Sequence, residues 1–355
     1  MRIGIITQTI WERLALALGR IPEPVVEVFP PLVLARSIMA ATRLGIFDVL
    51  AHAPQTSDDL AALCHTEPRA TAALLEVLVS AGYLSEERSV FRLTRKARHW
   101  LCDESPASVS AYIRFNYLQW TWLGELERFA QTGVPIAFHE QLSGAEWQLY
   151  EHGMASIARL TLPEVVWRVP VPANATALLD LGGGHSLAAA YFCRRHADIH
   201  ATVLDLPEAL ASAPLLPADL ADASKRITRV AGDALTADLG IEAYDVIYIA
   251  NLLHHFDSSA IESLAARIAT ALRPGGIWVI QDGVRERRRR SQRMPATIGD
   301  LYFALTSASG FRSFPEMAAW QARAGLFPRR PIRLLTAPGQ GLQIAAKPRR
   351  VGGRG

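Results

Sequence analysis

The stretch Leu178-Leu179-Asp180-Leu181-Gly182-Gly183-Gly184 decides how this chain is read. It has the pattern of an apolar strand that ends in an acid and runs into a glycine turn. A second apolar run, Thr202-Val203-Leu204-Asp205, ends in Asp205, 21 residues after Gly184. The interval between the two is long enough for one helix, so the layout predicts a βαβ unit. Glycines let the backbone approach a ligand closely, and an acid at the second strand end can accept hydrogen bonds from a ribose diol. The pattern therefore predicts a site for a nucleoside-bearing cofactor.

Downstream residues extend the same rim. Ile227-Thr228-Arg229-Val230 reads as a third strand, followed by Gly232-Asp233-Ala234-Leu235. Tyr244 to Ala250 reads as a buried strand that ends in Asn251-Leu252-Leu253-His254-His255. Open parallel sheets bind ligands beyond the carboxyl ends of their strands. Four successive strand ends here carry Gly, Asp, Asp and His.

The bulk properties bound the class. At 355 residues the chain has room for two or three domains, and with 50% hydrophobic and 20% charged residues its composition is that of a globular protein. A net charge of +3 is too small to argue for nucleic acid. The local basicity falls in Arg285 to Arg293 and in Lys347 to Arg354, which read as a solvated loop and a frayed terminus. Cys64, Cys102 and Cys193 show no metal-ligand spacing, and their odd count fits a reducing cytoplasm. No run reads as the ~18 apolar residues of a membrane span, and the N-terminus lacks the layout of a secretory signal. No metal and no membrane partner are expected.

Toward the N-terminus, Pro22, Pro24, Pro30 and Pro31 are expected to break any long helix, and a helix is predicted from about Leu32 to Leu44. Short helices from Phe47, from Ser57 and from Pro68 to Gly82 precede a hairpin formed by Tyr83-Leu84 and Val90 to Leu93. Helix, turn, helix and hairpin make a winged helix. A major-groove reader needs polar side chains aimed at base edges, yet Arg69 is the only basic residue between Pro68 and Gly82. The module reads as a packing or dimerisation unit rather than a DNA-binding one.

Residues 105–170 look helical and aromatic, with Trp120, Trp122, Phe138, Trp147 and Tyr150 among them, and Met154 just ahead of the glycine unit. These are core residues or the lining of a pocket for a flat apolar substrate. Pro274-Gly275-Gly276 reads as a tight turn into the buried strand Ile277 to Ile280. Helices are predicted over 296–309 and 314–325, and closing antiparallel strands over 332–335 and 342–346.

Taken together, these residues resemble the class I S-adenosylmethionine-dependent methyltransferases. More narrowly, they resemble the small-molecule O-methyltransferases that carry an N-terminal winged-helix dimerisation domain. The resemblance covers roughly residues 32–347. It rests on Leu179 to Gly184, Val203 to Pro207, Gly232-Asp233, Leu253 to Asp257, Arg273 to Gly276, Gly310 to Ser313, Glu316 and Ala324 to Leu326. It implies an α/β fold: a Rossmann-like methyltransferase domain (173–348) behind a mainly helical winged-helix dimerisation domain (1–105), with a helical substrate-pocket segment (106–172) between them and a disordered tail (349–355).

The resemblance also implies roles. Gly182 and Gly184 lie against the methionyl part of S-adenosyl-L-methionine, Asp205 holds the ribose hydroxyls, and Asp233 with Leu235 meets the adenine. Asp180, Gly183, Leu206, Gly232, Ala234 and Asn251 complete the implied cofactor set. His254 falls where the family has its general base, and an imidazole with an ordinary pKa of about 6.5 can take a phenolic proton at neutral pH. Met154, Tyr302 and Phe303 are the implied acceptor contacts, with Phe311 nearby. The chain departs from the family in two places: Ser186 stands where a further glycine is frequent, and His255 stands where Asp commonly follows the histidine. The second departure leaves open which histidine is the base and whether the acceptor atom is oxygen, nitrogen or carbon. The expected protein is a homodimeric, cytoplasmic O-methyltransferase acting on an aromatic or polycyclic hydroxyl of secondary metabolism. A cofactor-binding homologue without methyl transfer is the alternative from another class.

Overall fold

The strand ends described above lie side by side in one sheet. The computed structural model describes residues 7–285, 294–307 and 309–350. In chain order its strands are β1 (Gln55–Thr56), β2 (Leu84–Glu87), β3 (Val90–Leu93), β4 (Ala177–Leu181), β5 (His200–Asp205), β6 (Ile227–Ala231), β7 (Tyr244–Ala250), β8 (Leu272–Gly283), β9 (Phe327–Pro328), β10 (Ile332–Arg333) and β11 (Gln340–Ala346). The chain divides into two compact units, Met1–Tyr117 and Leu118–Gly355.

In the second unit the sheet order is β10-β11-β8-β7-β4-β5-β6, with β9 also on β11. Strands β4 to β8 pair in parallel, and β11 runs antiparallel to β8. The order reverses at β4, which lies between β5 and β7; that is the switch point at which open α/β sheets leave a crevice. Two apolar cores flank the sheet. One packs Leu178, Val203, Val246 and Val279 under Phe192 and Val165; the other packs Leu179, Ile247 and Ile280 under Ile261, Ile268 and Trp320. Strands buried on both faces explain why these segments read as continuous apolar runs instead of alternating ones.

The first unit is the expected winged helix. Its sheet has the order β1-β3-β2, and the helices Ile46–His52, Ser57–Leu63 and Pro68–Ser80 share a core of Phe47, Leu50, Leu60, Leu75, Leu78 and Phe91. Arg88 and Ser89 both have positive φ, 52° and 62°, as a two-residue hairpin turn requires.

Three expectations fail. Pro30 and Pro31 do not break the N-terminal helix, which runs over Glu23–Arg43. Their missing N–H groups free carbonyls on a stretch where every residue from Glu23 to Val33 except Val26 is exposed, so the loss falls on solvated groups. An 18-residue window of the same helix has a mean hydropathy of 1.5, which makes the helix long and apolar enough to cross a membrane by length and composition. The expectation that no segment reaches that threshold is therefore corrected. Finally, Pro274-Gly275-Gly276 is not a turn ahead of a strand but part of β8. Leu272 pairs with Tyr244 and Ile277 with Val246, so four residues of β8 oppose one of β7 in a bulge that Gly275 enters at φ +85°. The basic run beyond Arg285 and the tail beyond Arg350 lie outside the described residues.

Candidate functional site

The glycine turn is shaped by what lies beneath it. Gly182 leaves β4 at φ +76°, a left-handed conformation that favours glycine. A methyl group at Gly183 would collide with the Asp180 carboxyl group. Asp180 is buried and accepts a hydrogen bond from the Ala189 N–H at 3.1 Å, which fastens the turn to the following helix. Burial, with a contribution from the charge of Asp205, raises its pKa to about 7. Ser186 caps that helix in the left-handed region at φ +59°, and its hydroxyl accepts from Arg229 Nε at 3.1 Å.

A second carboxyl group faces the turn from outside the sheet. The helix Gly144–Arg168 begins with a capping box between Ser143 and Glu146, and its buried residues include Trp147, Glu151, Ala155 and Leu162. Glu151 is 4% exposed, and its Oε2 has no hydrogen-bond partner. A methyl group at Gly184 would lie 2.7 Å from that oxygen. Burial first, and then the charge of Asp205, pushes the Glu151 pKa up to about 8.

The ends of β5 and β6 are tied to the same turn. The Asp205 carboxylate accepts from Gly184 N–H and Leu206 N–H, both at 2.7 Å, which leaves a lone pair on each oxygen for another donor. Gly232 N–H donates to Asp205 O at 2.9 Å. Asp233 is exposed, and its Oδ1 accepts from Leu235 N–H at 2.8 Å. The Ala234 and Leu235 carbonyls are held by Arg267 at 3.0 and 2.6 Å.

At the end of β7, Asn251 turns the chain with φ +51° and a single 3₁₀ turn carries Leu253–His255. The Leu252 side chain closes over Gly182, so this loop abuts the glycine turn. His254 is 4% exposed, and its Nδ1 lies 2.6 Å from Asp282 Oδ1 at the end of β8. An ionised carboxylate only accepts, so Nδ1 carries the proton and Nε2 is left as the basic nitrogen. Asp282 Oδ1 is itself held by the Gly283 N–H at 2.7 Å. His255 instead bonds Ser307 Oγ at 2.7 Å.

Aromatic rings enclose this pair. Phe303 stacks on His254 at a centroid distance of 3.8 Å, and Phe311 meets it edge-on at 5.7 Å. His139 packs edge-on against His255 at 4.7 Å and lies 5.7 Å from Trp147 and 5.5 Å from Tyr150. Burial lowers the His139 pKa to about 4 and holds that of His255 well below its ordinary value. Both rings are therefore neutral at pH 7.

Comparison with known proteins agrees with this arrangement. The family pattern described as the O-methyltransferase domain matches residues 124–326, more than half of the chain. The chain belongs to the O-methyltransferase family. The pattern described as the O-methyltransferase dimerisation domain matches residues 29–103. Among curated proteins, the enzyme is 28% identical to the tetracenomycin polyketide synthesis 8-O-methyl transferase TcmO of Streptomyces glaucescens, over 82% of this chain and 87% of that one. It is 25% identical to the N,N-dimethyltransferase OxyT of Streptomyces rimosus, over 88% and 93% of the two chains. Among solved structures, human N-acetylserotonin methyltransferase in complex with SAM superposes with a TM-score of 0.80 at 20% identity, covering 98% of this chain and all of that one. The protein is an S-adenosylmethionine-dependent methyltransferase with a Rossmann-like domain and an N-terminal helical dimerisation domain.

The residues present fit that cofactor. The turn from Gly182 to Gly184 is bare of side chains where side chains would collide, Asp205 has acceptor capacity to spare, and Glu151 presents an unpartnered oxygen. The structure thus brings Asp180, Gly182, Gly183, Gly184, Asp205 and Leu206 together, with Gly232 one strand away. Asp233 to Leu235 extend the same rim. Tyr302 accepts from Gln119 Nε2 at 3.0 Å, and Met154 is half-buried one turn beyond Glu151. Sequence reasoning missed Glu151, His139, Asp282 and Ser307. Two of these left a signal: Glu151 interrupts the buried stripe Trp147, Ala155, Leu162 at helical spacing, and Asp282 is a further acid at a strand end on the rim.

Proposed function

We propose that the enzyme methylates a hydroxyl of a flat aromatic or polycyclic molecule, with His254 as general base. The observation that carries this reading is the buried His254–Asp282 pair, packed against Phe303 and Phe311 on the loop that abuts the glycine turn. When bound, S-adenosyl-L-methionine supplies an electrophilic methyl group on a good leaving group. Gly182, Gly183, Gly184, Asp180, Asp205, Leu206 and Asn251 hold its methionyl and ribose parts on this reading, and Gly232 to Leu235 meet its base. The work left to the protein is to orient the acceptor and take its proton. Asp282 is a positioning residue: it fixes the His254 tautomer and stabilises the imidazolium that forms on proton transfer. His255 lacks such a partner, and its burial opposes protonation, which favours His254 over His255 as the base. Phe303, Tyr302, Phe311 and Met154 line the acceptor face, and the neutral His139 and His255 keep it uncharged, which suits a neutral flat ligand. The dimerisation domain and the exposed Val25, Val28, Phe29 and Leu32 support a homodimer. The sparse cysteines support a cytoplasmic setting.

The test is to supply S-adenosyl-L-methionine with a panel of polycyclic phenols and to follow S-adenosylhomocysteine release together with product mass. Wild type should methylate at least one phenol, and His254→Ala should lose that activity while keeping cofactor affinity. A second reading is favoured by the resemblance to OxyT, whose name places it on nitrogen. An amine acceptor brings its own lone pair, so a His254→Ala enzyme that still methylates at near wild-type rate would point to nitrogen.

A further inference from the structure

Glu151 is a group at the glycine turn whose position costs free energy and which the proposed chemistry leaves idle. A carboxyl oxygen that is buried and unpartnered loses its hydration with nothing in return, and such groups are costly unless a ligand completes them. Its Oε2 sits over Gly184, where a methyl group would come within 2.7 Å. Anything lying along the bare turn passes beside this oxygen. The oxygen needs a donor. In S-adenosylmethionine the sulfonium has no N–H or O–H, whereas the α-ammonium has three donors and a positive charge.

We propose that the Glu151 carboxylate accepts the α-ammonium group of the cofactor's amino-acid arm over Gly184 and gives up its own proton when it does so. This rests on the reading that the glycine turn holds S-adenosylmethionine. The titratable groups around Glu151 are consistent with it. Asp205 at the end of β5 acts on it by charge, Asp180 lies beneath the turn, Tyr150 beside it in its own helix is pushed well above 10, and His185 of the turn is held at about 4. The proton that Glu151 carries in the free protein at pH 7 therefore leaves when the ammonium arrives.

The experiment is calorimetric titration of wild type and Glu151→Gln with three probes: S-adenosylmethionine, S-adenosylhomocysteine and 5′-methylthioadenosine, which lacks the amino-acid arm. Each titration is run at pH 7 in two buffers of different ionisation enthalpy. The expected result is a roughly 10- to 100-fold loss of affinity in the variant for the first two probes and none for the third. Wild type should release most of one proton on binding S-adenosylhomocysteine, and the variant none. Equal affinities in the two proteins would overturn the proposal. So would a loss confined to S-adenosylmethionine, which would place the carboxylate on the sulfonium, or an equal loss for 5′-methylthioadenosine, which would make Glu151 a structural support. Failure of wild type to bind any probe would instead overturn the cofactor-site reading beneath it.

Discussion

Glu151→Gln should stabilise the cofactor-free protein, and the gain should grow with pH. Glu151 has a pKa of about 8 in the fold against 4.5 in the unfolded chain, so between those values the folded state holds a proton that the unfolded state has released. For an acid whose pKa is raised by folding, stability is lost as pH rises through that window. Integrating the two titrations from pH 5.5 to 7.5 gives a loss of about 2–3 kcal/mol in wild type, and glutamine, which does not titrate, removes it. Asp180 titrates in a similar window, but it is present in both proteins and drops out of their difference. The assay is scanning calorimetry of both proteins at pH 5.5 and 7.5, following the transition that S-adenosylhomocysteine raises. For a unit of this size the gap should widen by roughly 5–10 °C between the two pH values, with the variant melting higher at pH 7.5. Saturating S-adenosylhomocysteine should narrow the gap at pH 7.5, because wild type gains more from the ligand. A gap that is constant with pH, or a variant that melts lower at pH 7.5, would refute the idea that Glu151 is held protonated by burial.

Three further outcomes follow from the same geometry. His254→Asn should lower kcat/KM by roughly 100- to 10,000-fold in steady-state methyl transfer, with the dissociation constant for S-adenosylhomocysteine unchanged. Asp282→Asn, which leaves the ring in place but weakens its orientation and its cationic state, should lower kcat by roughly 10- to 100-fold at unchanged cofactor affinity; equal losses in both quantities would mean that the strand end had collapsed instead. Gly184→Ala, whose added methyl would lie 2.7 Å from Glu151 Oε2, should weaken S-adenosylhomocysteine by at least about 10-fold in calorimetry, and wild-type affinity would show that the turn is less crowded than this.

The sheet was legible because its central strands β4, β7 and β8 are buried on both faces. That burial writes continuous runs such as Ile247 to Ala250, and the acids and glycines at the ends of β4, β5 and β6 stand out against them. Pattern reading failed where a local rule was outweighed by its surroundings. Proline is a helix breaker by its own chemistry, but Pro30 and Pro31 sit on an exposed stretch where the freed carbonyls meet solvent, and the helix continues. The Pro274-Gly275-Gly276 run has turn chemistry, but β8 absorbs it as a bulge. Ser186, which stands where the family frequently has a glycine, adopts the left-handed conformation that glycine would take and finds a partner in Arg229. Of the site, the β4, β5 and β7 contributions were readable as motifs. His139 was not, because nothing near it in sequence announces a histidine packed against His255, 116 positions downstream.

The two halves of the site deal with charge in opposite ways, and that difference is an argument about order of events. On the acceptor side, the imidazoles of His139 and His255 are kept neutral by burial, and only His254 has a carboxylate to stabilise a proton it gains. On the proposed reading, a neutral phenol can enter that side without desolvating an ion. On the cofactor side, Glu151, Asp180 and Asp205 crowd one turn with carboxyl groups whose ionisation is opposed by burial, and Asp205 acts by charge on the other two. A ligand that brings positive charge relieves that opposition, whereas a neutral nucleoside does not. The glycine turn therefore favours a ligand that brings positive charge, while the histidine cluster favours a neutral one. Affinity for the charged cofactor should accordingly rise as pH is raised from 6 to 8 and the Glu151 proton becomes easier to displace, with affinity for 5′-methylthioadenosine staying flat across the same range.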